Sequence, residues 1–512
     1  MNVAVVVPPG RLPQWHAWCI DALLADPRLS VRVVTVSGPH ARAPRGIAAR
    51  FRRTALELVD VPRGEGSLDG AAAIVDLTVA GVAGAAAHGV WRFELGDDDD
   101  RAQPFAREIG AGRATIEARL IRRRSGVDEV VRSGRFAVTR WYPTTLKIAL
   151  RETALWPAIG LGAVADGVDV PAERAEPRAP ARPLGVAGNV RFGGSLVRRL
   201  ADAGTSAFVG MADWNVGFVD GGPARLLSDE PLEVRWLPEP APNTFVADPF
   251  LVERDGVRAL LVEGFDYAHG RGAIDALVLG DDDAIVRRVR VIDRPTHLSY
   301  PYPLEIDGAL YVVPENSAGN EVALYRCVRF PDEWERETAL FPGFDGVDTT
   351  IFAHDGRWWA LCTRYSRGST LALYAFHAAS PRGSWTAHAL NPIVVDVSRA
   401  RPAGQPFVVD GVLYRPAQDC SETYGGGLVI ARVDELTPTS FRESIVQRHA
   451  PARFGKWSDG IHTVSFGDGR IAVDGKRTYR DLRKIPGTAR KIRSLARRVF
   501  ARSAPTNATT VA

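Results

Sequence analysis

Cysteine is scarce in this chain of 512 residues, and the few cysteines lie far apart. Cys19, Cys327, Cys362 and Cys420 form no Cys-x-x-Cys pair. A structural zinc site or a disulfide framework needs closely grouped thiols, so this spacing argues against both. Reduced, unpaired thiols are the expectation, which is typical of a protein of the cytoplasm.

Long apolar runs and a leader segment are also missing. No stretch approaches the ~20 apolar residues that a membrane-spanning helix needs. The first residues, MNVAVVVPPGRLPQW, have neither a basic segment nor a cleavage motif, so we expect no signal peptide. The net charge is only +4, which argues against nucleic acid as a partner. A cytoplasmic location is therefore the expectation.

An Asp-Gly pair recurs at nearly even intervals in the second half of the chain. The pairs begin at Asp255, Asp307, Asp355, Asp410 and Asp468, so their spacings are 52, 48, 55 and 58 residues. Asp and Gly tolerate the positive φ of a tight hairpin turn, and each pair lies between two β-type runs. A repeat of about 50 residues with several strands per unit is typical of propeller blades. The sequence therefore predicts a five-bladed β-propeller over residues 206–480.

The same turns predict where polar side chains meet. In a hairpin, the start of the first strand and the end of the second lie at the same end. These positions should therefore converge on one mouth of the central channel, a concave place that suits a binding site. The strand starts carry Asp248, Tyr300 with Pro301, Asp348, Gln405 and His462. The strand ends carry Glu263, Glu315, Arg364, Gln418 with Asp419, and Arg477.

The first part of the chain has a different pattern, and the length predicts two or three domains. Apolar runs at Val3–Val7, Val31–Val36 and Ala73–Val79 predict buried strands, and residues 13–26 have helical spacing, so residues 1–160 should form an α/β domain. Residues 161–205 are predicted to hold a linker rich in Ala and Pro and then a helix near 194–203. Trp214–Val219 is a candidate strand that could close the propeller ring.

Several passages of the first domain resemble the formyltransferase-like Rossmann domain, namely HGVWRFELGDDDD, PFAREIGAGRATIEARLIRR and SGVDEVVRSGRF. That family uses an Asn-x-His pair and an Asp. Arg92 and Glu94 stand at the positions of the pair, and Asp128 matches the acid. An anionic Glu would repel the charge that develops on a formyl carbonyl, so no formyl transfer is expected. His88 is a possible substitute, although an ordinary strand-end histidine is the simpler interpretation.

The second domain resembles the propeller at the N-terminus of plant glucosamine inositolphosphorylceramide transferases and of bacterial relatives. The motifs VADPFLVE, HLSYPYPLEIDGALYVVPENS, DTTIFAHDGRWWALCT, RPAGQPF and HTVSF occur in that order. The ADPF strand start is also similar, more distantly, to five-bladed glycosidases and glycan phosphorylases. In those enzymes an Asp of the first blade and a Glu farther round the ring flank the scissile bond. The resemblance implies carbohydrate chemistry at the propeller mouth.

Reaction at an anomeric carbon needs two acids. Asp248 is the candidate base or nucleophile, and Pro249 is expected to hold it extended. Glu315 is the candidate general acid or base, with Glu263 as its rival. Asp348 would hold a sugar hydroxyl or tune the pKa values of its neighbours. A structural role as a blade cap remains the alternative for each of these acids.

The remaining candidates would bind substrate. A guanidinium group suits phosphate or an acidic sugar, and aromatic rings can stack on a sugar. The arginine candidates are Arg364 and Arg477. The aromatic and imidazole candidates are His297, Tyr300, Trp359, Tyr424 and His462, and the polar candidates are Glu263, Gln405, Gln418 and Asp419. No cofactor and no metal is predicted, because the acidic run Asp97–Asp100 is more simply a solvated loop.

The tail, residues 481–512, is basic. From Lys476 to Arg502 the chain has 11 Lys or Arg and one acid, Asp481, while Ile492, Leu495, Val499 and Phe500 recur at helical spacing. A basic amphipathic helix suits an anionic membrane surface, so a location at the inner face of the plasma membrane is one hypothesis. A helix docked on the protein body is the other.

The favoured function is glycosyl transfer in the assembly of cell-surface polysaccharide or glycolipid, with a sugar donor and a glycan or glycolipid acceptor as partners. A glycoside hydrolase or phosphorylase with the same acids remains open. A non-catalytic glycan-binding scaffold is a third possibility, and it would keep the aromatic residues while tolerating loss of the carboxylates.

Overall fold

The computed structural model describes residues 1–35, 57–62, 64, 67–78, 81–82, 84–97, 103–178 and 184–480. It has an α/β part followed by a five-bladed propeller. The predicted basic tail and Asp98–Asp100 lie outside the described residues, whereas Asp97 forms an ion pair with Arg113 at 2.7 Å. All four cysteines are free thiols.

A seven-stranded mixed sheet forms the α/β part. Its first four strands are parallel and the last three are antiparallel to their neighbours. Strand β1 (Asn2–Val7), the second strand of the sheet, continues after Asn2 as a run of valines and one alanine that is buried on both faces, as parallel strands usually are. In spatial order the strands are β3 (Ser30–Thr35), β1 (Asn2–Val7), β5 (Ala73–Asp76), β6 (Val90–Leu95), β7 (Thr115–Arg124), β8 (Val127–Ala137) and β9 (Glu173–Arg174). A small separate ribbon pairs β2 (Leu12–Pro13) with β4 (Leu58–Val59).

Helices cover this sheet and bury their apolar faces against it. They are α1 (Gln14–Leu24), α2 (Ala106–Gly110), α3 (Tyr142–Thr153), α4 (Trp156–Ala165) and α5 (Val186–Val209). The predicted early strands and first helix are confirmed. The α/β character of this part is thus clear, whereas its likeness to a formyltransferase stays a prediction.

One helical stretch in the described part of the chain, Tyr142–Ala165, is long and apolar enough to cross a membrane by length and composition alone. No membrane-spanning stretch was expected from the sequence, because this stretch combines two helices, α3 and α4. However, 61% of its apolar window is buried inside the protein. Trp156 and Leu161, for example, belong to the core of the α/β part. This burial is typical of a core helix.

The predicted linker is more structured than its composition suggested. Helix α4 continues to Ala165, strand β9 joins the sheet beside β8, and α5 begins at Val186 and ends at Val209. The helix expected near 194–203 is therefore present and longer than predicted. Residues 179–183 of this segment lie outside the described residues.

The propeller has five blades, each built around a four-stranded antiparallel sheet. The first strands of the blades lie against one another around the centre, since β12 contacts β16 and β29, and β16 contacts β20. Blade 1 is β12 (Thr244–Arg254), β13 (Val257–Asp266), β14 (Arg271–Leu279) and β15 (Ile285–Ile292). Blade 2 is β16 (Ser299–Ile306), β17 (Ala309–Glu315), β18 (Glu321–Arg329) and β19 (Glu333–Pro342).

The remaining blades complete the ring. Blade 3 is β20 (Gly346–His354), β21 (Arg357–Arg364), β22 (Ala372–Ala378) and β23 (Thr386–Ala387), and β24 (Val394–Val395) also pairs with β22. Blade 4 is β25 (Phe407–Val409), β26 (Val412–Gln418), β27 (Leu428–Leu436) and β28 (Phe441–His449). Blade 5 is β29 (Val464–Gly467), β30 (Arg470–Arg480), β10 (Gly210–Asp220) and β11 (Arg235–Trp236). Short 3-10 helices are Pro223–Leu227, Ser317–Gly319, Tyr365–Arg367 and Pro451–Phe454.

The five predicted Asp-Gly turns are confirmed. Each turn joins the innermost strand of a blade to its second strand, and both turn residues have positive φ, from 47° to 52° for Asp and from 65° to 76° for Gly. This is the backbone of the tight turn that suits the twist of a β-hairpin. The repeat could be recognised because the turn imposes its own local sequence.

Strand β10 closes the ring. It comes before blade 1 in the chain, yet it pairs with β30, the second strand of blade 5, along its whole length. The predicted closure by Trp214–Val219 is therefore confirmed, and β11 lies outside it. Closure of this kind joins the two ends of the propeller, so blade 5 is built from strands of both the first and the last part of the propeller sequence.

The α/β part and the propeller touch along β8. Arg132 donates to the carbonyl oxygens of Leu390 at 2.6 Å and Pro392 at 2.7 Å. Arg135 forms a β-bridge with Asp396, and Val395 joins the hydrophobic core of the α/β part. The two parts thus share both polar and apolar contacts.

We predict that Gly404→Ala destabilises the propeller strongly. Gly404 has a φ of 111°, and a Cβ atom there would lie 1.8 Å from the Val464 carbonyl oxygen in the next blade. A backbone clash combined with an unfavourable φ should cost about 3 kcal/mol or more of unfolding free energy. Urea unfolding measures it. Gly222→Ala is the control, because its φ is −88° and nothing lies within 4 Å of the added atom. Equal stability of the two variants would contradict this account.

Candidate active site

Three of the five innermost strands have a β-bulge near their start. The pairing register shifts after Ala247, Ser299 and Val347 in blades 1, 2 and 3. The next residue in each blade has a left-handed backbone, with φ of 52° at Asp248, 45° at Tyr300 and 49° at Asp348. Such a backbone is costly for a residue other than glycine, and bulges often re-aim side chains beside active sites.

The expectation that Pro249 holds Asp248 extended is therefore wrong. The proline restricts the residue before it, but the bulge turns the backbone at Asp248 into the left-handed region. The same geometry recurs at Asp348, which is followed by a threonine rather than a proline. The bulge, not the proline, thus orients these side chains.

Asp248 is buried and held by donors from two blades. Its Oδ1 accepts from Thr463 Oγ1 at 2.6 Å, and its Oδ2 accepts from the Tyr300 amide at 3.1 Å. Its own amide donates to Asp474 Oδ2 at 3.2 Å. Burial raises the pKa of the Asp248 carboxyl, while His462, Thr463 and the Tyr300 amide oppose the rise. Asp248 therefore has one fixed orientation.

A buried Asp–His pair of blade 5 lies beside Asp248. Asp474 Oδ1 accepts from the amides of His462 and Thr463 at 2.9 and 3.1 Å, and Asp474 Oδ2 contacts His462 Nδ1. The His462 ring stacks on Trp214 of β10, with centroids 3.9 Å apart. His462 was predicted, whereas Asp474 was missed. Only the pairing register could have identified Asp474, because it lies opposite the inner strand of blade 5 as Glu263 does in blade 1.

Asp348 is locked by an ion pair. Arg401 donates to both of its oxygens, at 2.7 and 3.1 Å, and Gln418 Nε2 donates at 2.9 Å. Burial raises the pKa of the Asp348 carboxyl, while the Arg401 guanidinium opposes this rise. The Arg401 side chain also reaches the Tyr424 hydroxyl at 3.3 Å. Arg401 was missed, because only its place in the RPAGQPF motif marks it.

Two glutamates occupy equivalent positions on the second strands. Glu263 lies opposite Ala247, and Glu315 lies opposite Ser299, just before the two bulges. Glu315 Oε1 accepts from Ser317 Oγ at 2.8 Å, and its Oε2 is 3.6 Å from Arg401. Burial raises the pKa of Glu263 well above 4.5, and the carboxylates of Asp248, Glu315, Asp348 and Asp474 add to the rise.

Five acids form what we call the carboxylate cluster, and all are buried to different degrees. They are Asp248, Glu263, Glu315, Asp348 and Asp474. Asp474 and Asp348 are 0% and 2% exposed, whereas Asp248, Glu263 and Glu315 retain 5%, 6% and 8%. The last three are thus the acids with some access to the mouth. The sequence predicted four of the five.

His297 and Tyr424 lie around the cluster with more exposure. The His297 Nδ1 accepts from the Gly272 amide at 2.8 Å, so its Nε2 carries the proton and faces Glu263 Oε1 at 3.6 Å. Burial lowers the pKa of His297, which favours this neutral form. The Tyr424 ring is 43% exposed while its hydroxyl points to Arg401. Both rings can therefore meet a ligand.

Two predicted site residues are structural supports instead. The Tyr300 hydroxyl lies 2.8 Å from both Thr350 Oγ1 and the Gly404 amide, and its ring is fully buried. Gln418 joins Asp348 to the Pro402 carbonyl oxygen. They position the cluster, and their predicted contact with substrate stays a prediction.

Five other candidates make their contacts away from the cluster, and their role in substrate binding stays a prediction. The predicted strand-end residues lie eight or nine positions after the Asp of each turn. In blade 3 the residue opposite Val347 is Thr363 rather than Arg364, and one step along a strand turns a side chain to the other face. Arg364 pairs with Asp345 at 2.7 Å, Arg477 lies over the Trp457 ring, Asp419 pairs with Arg448 at 3.1 Å, the Gln405 side chain accepts from the Phe466 amide, and Trp359 is buried in its blade.

A metal ion could find ligands here. Asp248, His462 and Asp474 each offer one ligand atom, and these atoms lie within 4.8 Å of one another. All three residues are buried, and the carboxyl oxygens already accept hydrogen bonds from Thr463 and from backbone amides. The prediction that the site needs no metal stays a prediction.

Two cavities lie elsewhere, between the α/β part and the propeller. One of about 460 Å³ is lined by Trp91, Arg132, Trp156 and Phe441, among others. The other, of about 590 Å³, is lined by Phe136, Arg151, Glu152 and Arg367, among others. Neither contains an acid of the carboxylate cluster, so these two cavities are separate from the cluster.

The formyltransferase-like positions form an ion-pair network. Arg92 reaches Glu94 at 2.9 Å and Asp128 at 3.1 Å, and Arg123 pairs with Asp128 at 2.7 Å. The hydrogen bond from Arg123 lowers the pKa of Asp128. His88 contributes its amide to the Ala72 carbonyl oxygen and its own carbonyl oxygen to Trp91. These contacts give each residue a structural role.

We predict that Arg401→Lys lowers the free energy of unfolding by about 2–3 kcal/mol, because a lysine cannot make both hydrogen bonds to the buried Asp348. Urea unfolding measures the change. Arg432→Lys is the control, since Arg432 pairs with Asp434 through one 2.6 Å contact and is about half exposed. The control should change stability by less than about 1 kcal/mol. Equal losses would mean that the bidentate pair adds nothing.

We also predict a pH dependence that Glu263 controls. Above about pH 4.5 the unfolded chain has released the proton that folded Glu263 still holds, so stability falls as pH rises toward the raised pKa. Glu263→Gln removes this slope, which is at most about 1.4 kcal/mol per pH unit. The variant should therefore gain stability relative to wild type as pH rises, measured by urea unfolding across this range. Parallel curves for both proteins would refute the assignment, and Glu253→Gln on the surface should leave the slope unchanged.

Comparison with known proteins identifies the propeller region. Residues 237–457 match the family described as glucosamine inositolphosphorylceramide transferase 1, N-terminal. This range spans blades 1 to 4, while blade 5 and its closing strand lie outside it. Over 208 residues the chain is 34% identical to glucosamine inositolphosphorylceramide transferase 1 of Oryza sativa subsp. japonica and 32% identical to that of Arabidopsis thaliana.

These alignments cover 40% of this chain but only 28% of the rice protein and 27% of the Arabidopsis protein. Among solved structures, the catalytic domain of the GH62 α-L-arabinofuranosidase of Coprinopsis cinerea is 11% identical, with a TM-score of 0.34, and the match covers 53% of this chain and 98% of that one. The RS223 β-xylosidase is 14% identical, with a TM-score of 0.34, over 46% and 84% of the two chains. The predicted resemblance of residues 237–457 to the N-terminal region of glucosamine inositolphosphorylceramide transferases is thus confirmed.

Proposed function

We propose that this protein is a carbohydrate-active enzyme that transfers a glycosyl group to a glycan or glycolipid acceptor at the propeller mouth. The observation that carries the proposal is the carboxylate cluster. Asp248, Glu263 and Glu315 keep some access to the mouth, inside the segment that matches the transferase family. The names of the plant relatives, which denote a transferase acting on a glycolipid, support the same direction.

The environments of the acids suggest different roles. Glu263 is the best general acid, since burial and four neighbouring carboxylates raise its pKa and so favour its protonated form. Asp248 is the best base or nucleophile, because donors from Thr463 and Tyr300 fix both of its oxygens. Pairs of carboxyl groups with unlike environments are how acid and base roles are divided in glycosidic chemistry.

Glu315 and Asp348 then take supporting roles. Glu315 faces Arg401 at 3.6 Å, and its carboxyl group is placed for contact with a sugar hydroxyl or with positive charge on the reacting sugar. Asp348 is enclosed by Arg401 and Gln418 and is 2% exposed. We therefore assign Asp348 the role of holding Arg401 in place.

The charge of the mouth favours an amino sugar. Five carboxyl groups converge there, while Arg401 contacts two of them, Asp348 and Glu315. A sugar with a free amine would bring positive charge to this excess of acids, and the plant relatives are named for glucosamine. The exposed ring of Tyr424 offers a face for the sugar ring.

The test is a thermal-shift screen with nucleotide sugars, sugar phosphates and oligosaccharides, in which glucosamine derivatives are compared with their N-acetylated forms. A hit is followed by a turnover assay. We expect Asp248→Asn and Glu263→Gln each to lower turnover by about 100-fold or more. Asp419→Asn is the matched control, because Asp419 belongs to the predicted set but lies outside the cluster.

The outcomes separate the alternatives. Transfer from an activated donor, lost in both variants, supports the proposal. Release of free sugar from oligosaccharides, with the same loss, would replace it with a hydrolase that uses water as acceptor. Stabilisation by glycans without turnover, and without change in either variant, would leave a binding module and end the catalytic assignment.

A further inference from the structure

The larger of the two cavities lies where the α/β part meets blade 3 of the propeller, and its volume is about 590 Å³. Its buried apolar lining includes Phe136 of β8, Leu371 and Val397. Both parts of the protein contribute to it, since helix α3 lines one side and residues 366–370 line another. A void of roughly 300–1,000 Å³ with an apolar lining and a few polar groups is typical of a small-molecule site.

One acid lines the cavity, and one of its oxygens makes no hydrogen bond. Glu152 is 5% exposed, and among the residues that the structure describes its Oε1 has no hydrogen-bond partner. Burial raises the pKa of this carboxyl, while Arg132, Arg367 and Trp156 oppose the rise. Buried polar atoms are usually paired, so an unpaired carboxyl oxygen on the wall of a cavity is placed to meet a ligand hydroxyl.

Two arginines line the same cavity on its solvent side. Arg151 and Arg367 are exposed, and neither forms an ion pair within the described part of the chain. The Arg151 guanidinium lies over the Trp18 ring, 5.7 Å from its centroid, which orients the group without neutralising its charge. Glu152 is the single acid among the described lining residues. Two cations against one acid favour an anionic ligand.

The propeller side of the cavity is held in place by contacts within the propeller. The Ser366 amide donates to Asp345 Oδ2 at 2.5 Å. The Ser369 carbonyl oxygen accepts from Thr363 Oγ1 at 2.6 Å and from Arg401 Nη1 at 3.3 Å. This wall is therefore fixed before a ligand arrives, which lowers the entropic cost of binding.

We propose that this cavity is a second ligand site, which takes a small sugar that carries an anionic group, either a phosphate or a carboxylate. Arg151 and Arg367 bind the anionic group, because a guanidinium matches the oxygens of both. Glu152, which is more buried than the arginines, bonds a sugar hydroxyl, and the apolar lining covers a face of the ring. The cavity shares no residue with the carboxylate cluster, so the proposal does not depend on the chemistry of the propeller mouth.

Isothermal titration calorimetry of the full chain tests the site, with glucose 6-phosphate, glucuronate, inorganic phosphate and glucose as probes. At least one of the two anionic sugars should bind saturably, and the tighter of them tells which anionic group the site prefers. Inorganic phosphate and glucose should each bind at least about tenfold more weakly, because each engages only one part of the site.

Three variants separate the two parts of the site. R151Q/R367Q should weaken binding of the anionic sugar at least about tenfold, since it removes both guanidinium groups. R124Q/R326Q is the matched control, because Arg124 and Arg326 are exposed arginines that do not line the cavity. Glu152→Gln should weaken the sugar several-fold and leave binding of inorganic phosphate unchanged, because phosphate does not reach the carboxyl.

Asp248→Asn separates the cavity from the propeller mouth, and thermal unfolding checks that each variant folds. This variant should bind the anionic sugar as wild type does. Binding that Asp248→Asn abolishes and R151Q/R367Q leaves intact would place the ligand at the mouth and overturn the proposal. Failure of both anionic sugars to bind wild type saturably would overturn it as well.

Discussion

The site depends on the pairing that closes the propeller. Strand β10 reaches across the ring and pairs with β30 over eleven residue pairs. This pairing sets Trp214 under the His462 ring and fixes the strand that carries Asp474. Asp474 in turn accepts from the amide of Asp248 in blade 1. Asp248 is therefore held by a contact between the first and the last blade, and a ring that did not close would lose the contact with Asp474.

Closure also explains how so many acids can be buried together. Unpaired charges are costly inside a protein, and adjacent carboxyl groups raise one another's pKa. The fold offsets this cost with one guanidinium at Asp348, an imidazole at Asp474 and hydroxyl or amide donors at Asp248. Glu263 has none of these strong donors, and its pKa is raised instead. Unequal compensation thus gives four similar side chains four different environments.

The sequence predicts the blades well because their signals are local. An Asp-Gly pair imposes its turn from its own backbone preference, and a run such as Val3–Val7 is buried wherever it folds. The site is harder to predict because its contacts join distant blades. Arg401 meets Asp348 from 53 residues away, and Asp474 meets Asp248 from 226 residues away. No local pattern marks such partners.

Register is the second limit. Arg364 and Thr363 are neighbours in sequence, yet they point to opposite faces, so a spacing of eight or nine residues cannot choose between them. The bulges at Asp248, Tyr300 and Asp348 add one residue to each inner strand and shift the alternation further. The turn positions and the bulges must both be known to tell which side chain of the second strand lies opposite a given residue of the inner strand. A count from the turns alone therefore finds the region and misses individual residues.

Helix α5 and the seam are parts of one continuous segment. The helix ends at Val209, and β10 begins at Gly210 without an intervening loop. Blade 5, which carries His462 and Asp474, is thus the blade directly joined to α5. Because β10 is hydrogen-bonded to β30 along its length, the position of α5 and the orientation of this blade are linked. The ring closure therefore couples the position of α5 to the position of the mouth.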